Sequence, residues 1–278
     1  MKKILALLLV LACLAGSALA ADISQIRGFD KDLEYQYLIL GSYPYEEDGT
    51  VAPLTWRVLN REGDQATLIT EYLIDNHQMI LVDNYNDAKN HKFSYKNLQS
   101  FEETDLYAWV NSEMEATILQ DQDFSAAIVL HNGDKFWIMD YADLMNTDYG
   151  FPHTKSGNTV EQEGEVAVKA AKYRKAYGTP YAKAKVLYED WSNKKGNKLF
   201  QFAQYGNSSP YWCSKMRLGY YMAGIVGGNG HLSWSGMGDV QKGVRPAVIV
   251  DLSQMTVTGG DGSLENPWIM APAEGTAW

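Results

Sequence analysis

The chain has 278 residues, of which 46% are hydrophobic and 12% aromatic, so a sizeable core can be buried. Its formal net charge is −10 at pH 7. This acidic balance argues against nucleic acid and anionic lipid as the main partner, because both require a cationic surface.

The N-terminus has the three parts of a secretory signal. Two lysines precede an apolar run over residues 4–14, and an Ala-Leu-Ala sequence ending at Ala20 offers a cleavage site. A membrane-spanning helix needs about 20 apolar residues, so this run is too short to be one. We therefore expect residues 1–20 to be removed, and the protein to be secreted to the extracellular space without a transmembrane segment. A lipoprotein signal on Cys13 is the alternative.

Cleavage leaves Cys213 as the single cysteine of the mature chain. An intramolecular disulfide, a thiolate zinc site and a paired-cysteine oxidase are thereby excluded. Stability has to come from ordinary core burial, which a domain of this size can supply.

The first part of the mature chain predicts a small β-meander. Its elements, in chain order, are a strand at 38–40, a turn at 41–44, a strand at 54–59, a hairpin loop at 60–64 and a strand at 66–70. The second strand alternates apolar and polar residues with period two, as a half-buried strand does. This alternation predicts that Trp56 packs into the core.

The middle of the chain changes to helical periodicity. Apolar residues recur at helical spacing through 104–119, where Thr104 and Asp105 can cap the first turn. The shorter predicted elements are a surface loop at 83–100, strands at 128–130 and 136–139 around a tight turn at 131–134, helical turns at 140–145, an exposed loop at 146–164, and helices at 165–177 and 181–191.

The last third is glycine-rich and aromatic, and predicts strands at 211–213, 222–226 and 243–250 divided by Gly/Ser loops. The segments together predict the α+β class. We expect a single compact domain over 21–278, with irregular antiparallel sheets, a few helices and long loops.

Short motifs follow one another along the chain in a specific order. They are Gly41-Ser42-Tyr43-Pro44, Trp56-Arg57-Val58-Leu59, Tyr72-Leu73-Ile74-Asp75, Trp109-Val110-Asn111, Phe124-Ser125, Thr179 with Tyr181-Ala182, Tyr211-Trp212 and Gly243-Val244-Arg245-Pro246-Ala247. In this order the chain resembles domain-of-unknown-function family 6273, a family of secreted bacterial modules. The resemblance covers about residues 35–252 and leaves 253–278 as a C-terminal extension. After Trp212 the family usually continues Leu-Arg-Ser, so Arg217 would replace the family's arginine after a local shift.

The closing segment combines a Trp strand, a Gly-rich loop and Gly-Val-Arg-Pro at 243–246. It resembles the end of C-type-lectin-like and formylglycine-generating-enzyme domains. That resemblance implies a compact α+β fold whose long loops present a binding surface, although a fold does not determine a function. The copper chemistry of formylglycine-generating enzymes relies on a pair of cysteines, which Cys213 alone cannot supply.

Aromatic residues give the strongest indication of a site. A region rich in Gly, Asn and Ser contains Trp191, Tyr205, Tyr211, Trp212, Tyr220, Tyr221 and Trp234. Tyr and Trp provide rigid contact area and Ser, Gly and Asn provide adaptable hydrogen bonds, a combination typical of binding surfaces. The alternative is that about half of these rings fill the core.

The predicted ligand-binding residues are Tyr211, Trp212, Arg217, Trp234, Asp239 and Arg245. We expect Trp234 to be exposed in a Gly/Ser loop at 227–238. For Arg245 the sequence favours a structural arginine, bonded to loop carbonyls or a carboxylate, over contact with the ligand.

Catalytic motifs are scarce. The five histidines are scattered, and neither an H-E-x-x-H nor a G-x-S-x-G motif is present. Cys213 follows Trp212 in an apolar strand and is expected to be a core residue. We predict no catalytic residue, no metal site and no cofactor, with calcium at 83–87 or 259–262 as the open alternative.

These observations predict a secreted, non-catalytic binding module. Its partner would be an extracellular glycan, peptide or surface protein, bound through the C-terminal aromatic and glycine-rich loops. The alternative is a secreted enzyme of the hydrolase type on a formylglycine-generating-enzyme-like scaffold.

Overall fold

The computed structural model describes residues 22–81, 98–156, 171–185, 208–217, 220–237 and 241–276. Over these ranges it shows two sheets and a few short helices, which confirms the α+β class. The strands are β1 (Gln36–Pro44), β2 (Val51–Glu62), β3 (Gln65–Thr70), β4 (Asp75–His77), β5 (Ile128–Val129), β6 (Trp137–Ile138), β7 (Tyr211–Arg217), β8 (Met222–Val226), β9 (Leu232–Gly236), β10 (Lys242–Val244), β11 (Pro246–Asp251), β12 (Met255–Gly259) and β13 (Trp268–Pro272).

The α-helices are α1 (Asp105–Trp109), α2 (Glu115–Leu119) and α3 (Pro180–Ala184), and a π-helical turn at Val110–Met114 joins the first two. Thr104 accepts a hydrogen bond from the Tyr107 backbone N–H at 3.1 Å and so caps α1. The helix predicted at 104–119 is therefore confirmed. Within the described ranges, no helix combines the length and the apolar character needed to cross a membrane.

The larger sheet has the strand order β12-β13-β1-β2-β3-β11-β5, and β6 also pairs with β11. β13 runs parallel to β1, and the other strand pairs of this sheet are antiparallel. The residues after 252 thus supply two strands, β13 next to β1 and β12 at the edge of the sheet.

The smaller sheet has the order β4-β10-β7-β8-β9, in which β10 runs parallel to β7. Strands β7, β8 and β9 form an antiparallel meander, and β9 lies at the edge of the sheet. A register shift between Trp212 and Met216 gives β7 extra residues relative to β8. This meander carries most of the predicted ligand-binding residues.

Trp56 lies at the centre of the main core cluster and is 0% exposed. Its indole Nε1 donates a hydrogen bond to the Leu40 carbonyl at 2.8 Å, and its ring stacks on Phe136 at 6.1 Å between centroids. The prediction that Trp56 is a core residue is confirmed.

The predicted turn at 41–44 is wrong, because β1 continues to Pro44. Gly41 has a φ of +62° and lies where the register of β1 against β2 shifts between Ile39 and Ser42. A side chain on Gly41 would meet the Ile118 carbonyl oxygen at 2.5 Å. The glycine therefore serves a bulge against α2 and does not end the strand.

The strand predicted at 243–250 is also wrong, because it divides into β10 and β11, which belong to different sheets. The loop predicted at 146–164 is exposed only in part, since Phe151 is buried. Of the helix predicted at 165–177, residues 171–174 are helical and 175–177 are not. Of the helix predicted at 181–191, the described part is α3. The predictions for 83–97, 157–170 and 186–191 lie outside the described residues.

Candidate functional site

Five side chains from the meander and from two earlier segments come together on one face of the β7, β8 and β9 strands. We call this set the aromatic–cationic patch, and its members are Tyr141, Lys155, Arg217, Tyr220 and Trp234. Arg217 ends β7 and Trp234 lies in the middle of β9, so two of the predicted ligand-binding residues do meet here.

Arg217 links the rings of the patch. Its guanidinium carbon lies 3.9 Å from the centroid of the Tyr220 ring and 6.0 Å from the centroid of the Trp234 ring. Both distances are within the range of cation–π attraction. Tyr220 is 63% exposed and Arg217 is exposed, so the guanidinium and the outer ring are accessible from solvent.

Tyr141 packs against Trp234 and bonds to the strand that carries it. Its hydroxyl donates a short hydrogen bond to the Ser233 carbonyl, and its ring lies 5.2 Å from that of Trp234 between centroids. Burial raises the pKa of Tyr141, so the hydroxyl stays a donor at neutral pH. The ammonium group of Lys155 lies 5.4 Å from the Tyr141 centroid and adds the second positive charge of the patch.

Trp234 is half-buried in β9, so the expectation of a fully exposed ring in a Gly/Ser loop is wrong. The hairpin is tighter than the sequence indicates, because only the residues between β8 and β9 form its turn, where the Gly227 N–H bonds to the His231 carbonyl at 2.7 Å. One side of the indole packs against Tyr141, and Arg217 lies near its ring.

Gly224 sits opposite Trp234 in the β8–β9 pair and leaves room for Tyr141. A methyl group at this position would meet the Tyr141 ring at 2.7 Å. We expect Gly224→Ala to displace Tyr141, break its bond to Ser233 and lower the free energy of unfolding by ~1–3 kcal/mol, the usual cost of overpacking. Chemical denaturation measures the loss. The control is Ser112→Ala, at an exposed position of the helical segment. Gly49→Ala does not serve as the control, because the positive φ of Gly49 would strain an alanine.

Tyr211 and Trp212 are interior residues, 2% and 1% exposed. The Tyr211 hydroxyl donates to the Arg174 carbonyl at 2.7 Å, and the Trp212 indole N–H donates to the His77 carbonyl at 2.8 Å. A ligand cannot touch either ring, so their assignment as ligand-binding residues is corrected. They belong to the half of the aromatic residues that fills the core.

Arg245 is also interior, 1% exposed, in the break between β10 and β11. Its Nε donates to the Thr70 carbonyl at 2.8 Å and its Nη1 to the Arg174 carbonyl at 3.3 Å. The structural alternative is therefore the correct one, and the ligand-binding assignment of Arg245 is corrected. Asp239, the remaining predicted residue, lies outside the described residues.

Arg174 is a structural residue that the sequence did not indicate. It is fully buried and donates hydrogen bonds to five carbonyl groups, those of Leu144, Pro152, Thr154, Lys155 and Gly230. Two of these carbonyls belong to Lys155 and its neighbour, and a third belongs to the β8–β9 turn. Arg174 therefore fixes the segment that places Lys155 beside Tyr141.

Cys213 is buried, and burial raises the pKa of its thiol well above the ordinary value. The protonated thiol is a core group, as expected. At 259–262, Asp261 uses one carboxylate oxygen to accept the Ser263 backbone N–H at 2.9 Å, which closes a turn. Among the described residues, no three His, Cys, Asp or Glu side chains converge to hold a metal ion, and 83–87 lie outside that part.

Comparison of the chain with protein-family models, with curated proteins and with solved structures finds no match. The resemblance to family 6273 stays a prediction from sequence.

Proposed function

We propose that this protein is a secreted, non-catalytic binding module that recognises an anionic extracellular glycan through the aromatic–cationic patch. The observation that carries the proposal is the position of Arg217, which stacks on the exposed Tyr220 and faces Trp234. A guanidinium held in this way presents its remaining N–H donors to a carboxylate or sulfate group. The adjoining rings offer apolar area to the C–H face of a sugar ring.

The charges favour an anionic ligand. Both charged members of the patch, Arg217 and Lys155, are cations, whereas the whole chain carries a net charge of −10. An acidic glycan is repelled by most of this surface and attracted to the patch, so electrostatics adds specificity for the site.

The extracellular setting of the proposal rests on the sequence. The signal predicted at 1–20 and the single cysteine of the mature chain agree with export of a protein that needs no disulfide. The resemblance to family 6273 supports a secreted module, and the resemblance to C-type-lectin-like domains supports a compact α+β fold whose loops present a binding surface. A peptide or a surface protein is the competing partner, and the binding experiment distinguishes it.

We expect Tyr220→Ala and Arg217→Ala each to weaken glycan binding by more than ~1 kcal/mol, about a fivefold increase in Kd. Both side chains are exposed, so neither change should alter folding. Glycan and peptide arrays with residues 21–278 first identify an oligosaccharide, and isothermal titration calorimetry then compares the variants. Trp234→Ala is a less direct test, because the half-buried ring also contributes to packing against Tyr141.

Lys31→Ala removes an exposed cation outside the patch and is the matched control, with unchanged affinity expected. Unchanged affinity in folded Tyr220→Ala and Arg217→Ala proteins would contradict the proposed site. Binding to peptides alone on the arrays would contradict the glycan proposal and favour a protein partner.

A further inference from the structure

A separate cavity of about 320 Å³ lies between the α1 segment and residues 131–143. Among the residues that the structure describes, four carboxylate side chains line it, and no Lys or Arg does. We call it the acidic cleft, and its polar and aromatic lining includes Glu102, Tyr107, Asp134, Trp137, Asp140 and Asp143. It shares no residue with the aromatic–cationic patch, and its volume is within the range of roughly 300–1,000 Å³ that is usual for small-molecule sites.

The carboxylates of the cleft are held in place by their own neighbours. One oxygen of Asp134 accepts the Tyr107 hydroxyl at 2.8 Å. One oxygen of Asp140 accepts the Asp143 backbone N–H at 3.1 Å, and one oxygen of Asp143 accepts the Asp140 backbone N–H at 3.0 Å. In the described part of the chain, no hydrogen bond engages the second oxygen of Asp134 or of Asp140. Fixed carboxylates with one open oxygen are suited to an ammonium ion.

Trp137 forms the aromatic wall of the cleft. His131 stacks on it with 4.1 Å between ring centroids and 16° between planes, which fixes the orientation of the indole. Trp137 is only 9% exposed, and its indole N–H makes no hydrogen bond of ordinary geometry to a described residue. The Asp143 carboxylate is its described partner, in a geometry that falls short of an ordinary hydrogen bond, so a ligand oxygen can replace this weak contact.

We propose that the acidic cleft binds a compact hydroxylated organic cation, of the chemical class of the amino alcohols. The ammonium group takes the open carboxylate oxygens and lies against the rings of Tyr107 and Trp137. The hydroxyl oxygen of the ligand accepts the Trp137 N–H. A bare metal ion fits less well, because no three metal-ligating side chains converge among the described residues and the ion brings no acceptor oxygen to the indole N–H.

The test uses two cations and their neutral isosteres. Choline is paired with 3,3-dimethylbutan-1-ol, and ethanolamine with propan-1-ol, so each pair differs mainly in charge. Calorimetric titration of residues 21–278 should show binding of at least one cation at millimolar concentration or below, and at least about tenfold weaker binding of its neutral partner. Absence of binding by both cations, or equal binding of a neutral isostere, would overturn the proposal.

Variants connect the binding to the cleft. Asp134→Asn keeps the oxygen that accepts the Tyr107 hydroxyl and removes the charge of an open carboxylate, and we expect about a tenfold loss of affinity. Asp143→Asn is the second acidic variant if the first fails to fold. Asp148→Asn, an exposed position that does not line the cleft, is the matched control. Unchanged affinity in a folded Asp143→Asn or Asp134→Asn protein counts against the proposal.

The two sites are tested independently. Tyr220→Ala should leave the affinity for choline or ethanolamine unchanged, because Tyr220 lies in the patch and does not line the cleft. Loss of cation binding in that variant would place the cation in the patch and contradict this inference without affecting the glycan proposal.

Discussion

Trp56→Ala is expected to lower the free energy of unfolding by ~3–5 kcal/mol, the usual range for deleting a large core ring. The side chain is 0% exposed and stacks on Phe136 in the main core cluster. Its removal also leaves the Leu40 carbonyl without the indole N–H that it accepts at 2.8 Å. Urea denaturation measures the change as a lower transition midpoint at constant slope.

Trp56→Phe is the milder variant, since it keeps a six-membered ring in the core while it removes the hydrogen-bond donor and part of the ring volume. We expect it to cost less than Trp56→Ala. A midpoint close to that of the wild type in Trp56→Ala would mean that the ring is not part of the core, which contradicts its complete burial against Phe136.

Arg174→Met is expected to be at least as damaging, with a loss of more than ~4 kcal/mol, because it breaks a buried hydrogen-bond network. The guanidinium bonds to five carbonyl groups that methionine cannot satisfy. Burial lowers the pKa of Arg174 to about 10, so the group is still charged at neutral pH. Arg174→Lys should rescue little, since an ammonium has three donors and lacks the planar fork.

Thermal or urea unfolding measures the stability of Arg174→Met, with Arg217→Met as the control variant. Arg217 is exposed, so its replacement should change stability by no more than about 0.5 kcal/mol. Wild-type stability in Arg174→Met would refute the structural role, and with it the fixed position of Lys155 in the patch.

Local sequence patterns predicted the elements that depend on local physics. The period-two alternation around Trp56 and the capped helical pattern after Thr104 both correspond to observed elements. The bulge at Gly41 was not predictable in this way, because it depends on the approach of Ile118, which is far away in the chain. A glycine beside a serine and a proline has the same local pattern as a turn.

The division of the strand at Arg245 has a similar cause. The residues on both sides are apolar and predict one continuous strand, but the guanidinium bonds to the carbonyls of Thr70 and Arg174. These partners belong to distant segments, and only the folded chain brings them together. An isolated arginine such as Arg174 or Arg245 has the sequence pattern of a solvated charge, although both are buried.

The candidate site was predictable in part. Composition indicated Trp234 and the family resemblance indicated Arg217, and both belong to the patch. Tyr141 was not predictable, because it reaches Ser233 across 92 positions of the chain, and the contact depends on the absence of a side chain at Gly224. Aromatic composition also does not distinguish exposed rings from core rings, which is why Tyr211 and Trp212 were assigned to the surface.

A crystal structure of residues 21–278 with the oligosaccharide that the arrays select tests the central claim most directly. We expect a sugar ring within about 4.5 Å of the Tyr220 or Trp234 ring, the usual distance of a packing contact. Its acidic group should lie within hydrogen-bond distance of the Arg217 guanidinium. An oligosaccharide bound elsewhere, for example beside Trp137 in the acidic cleft, would contradict the assignment of the patch as the glycan site.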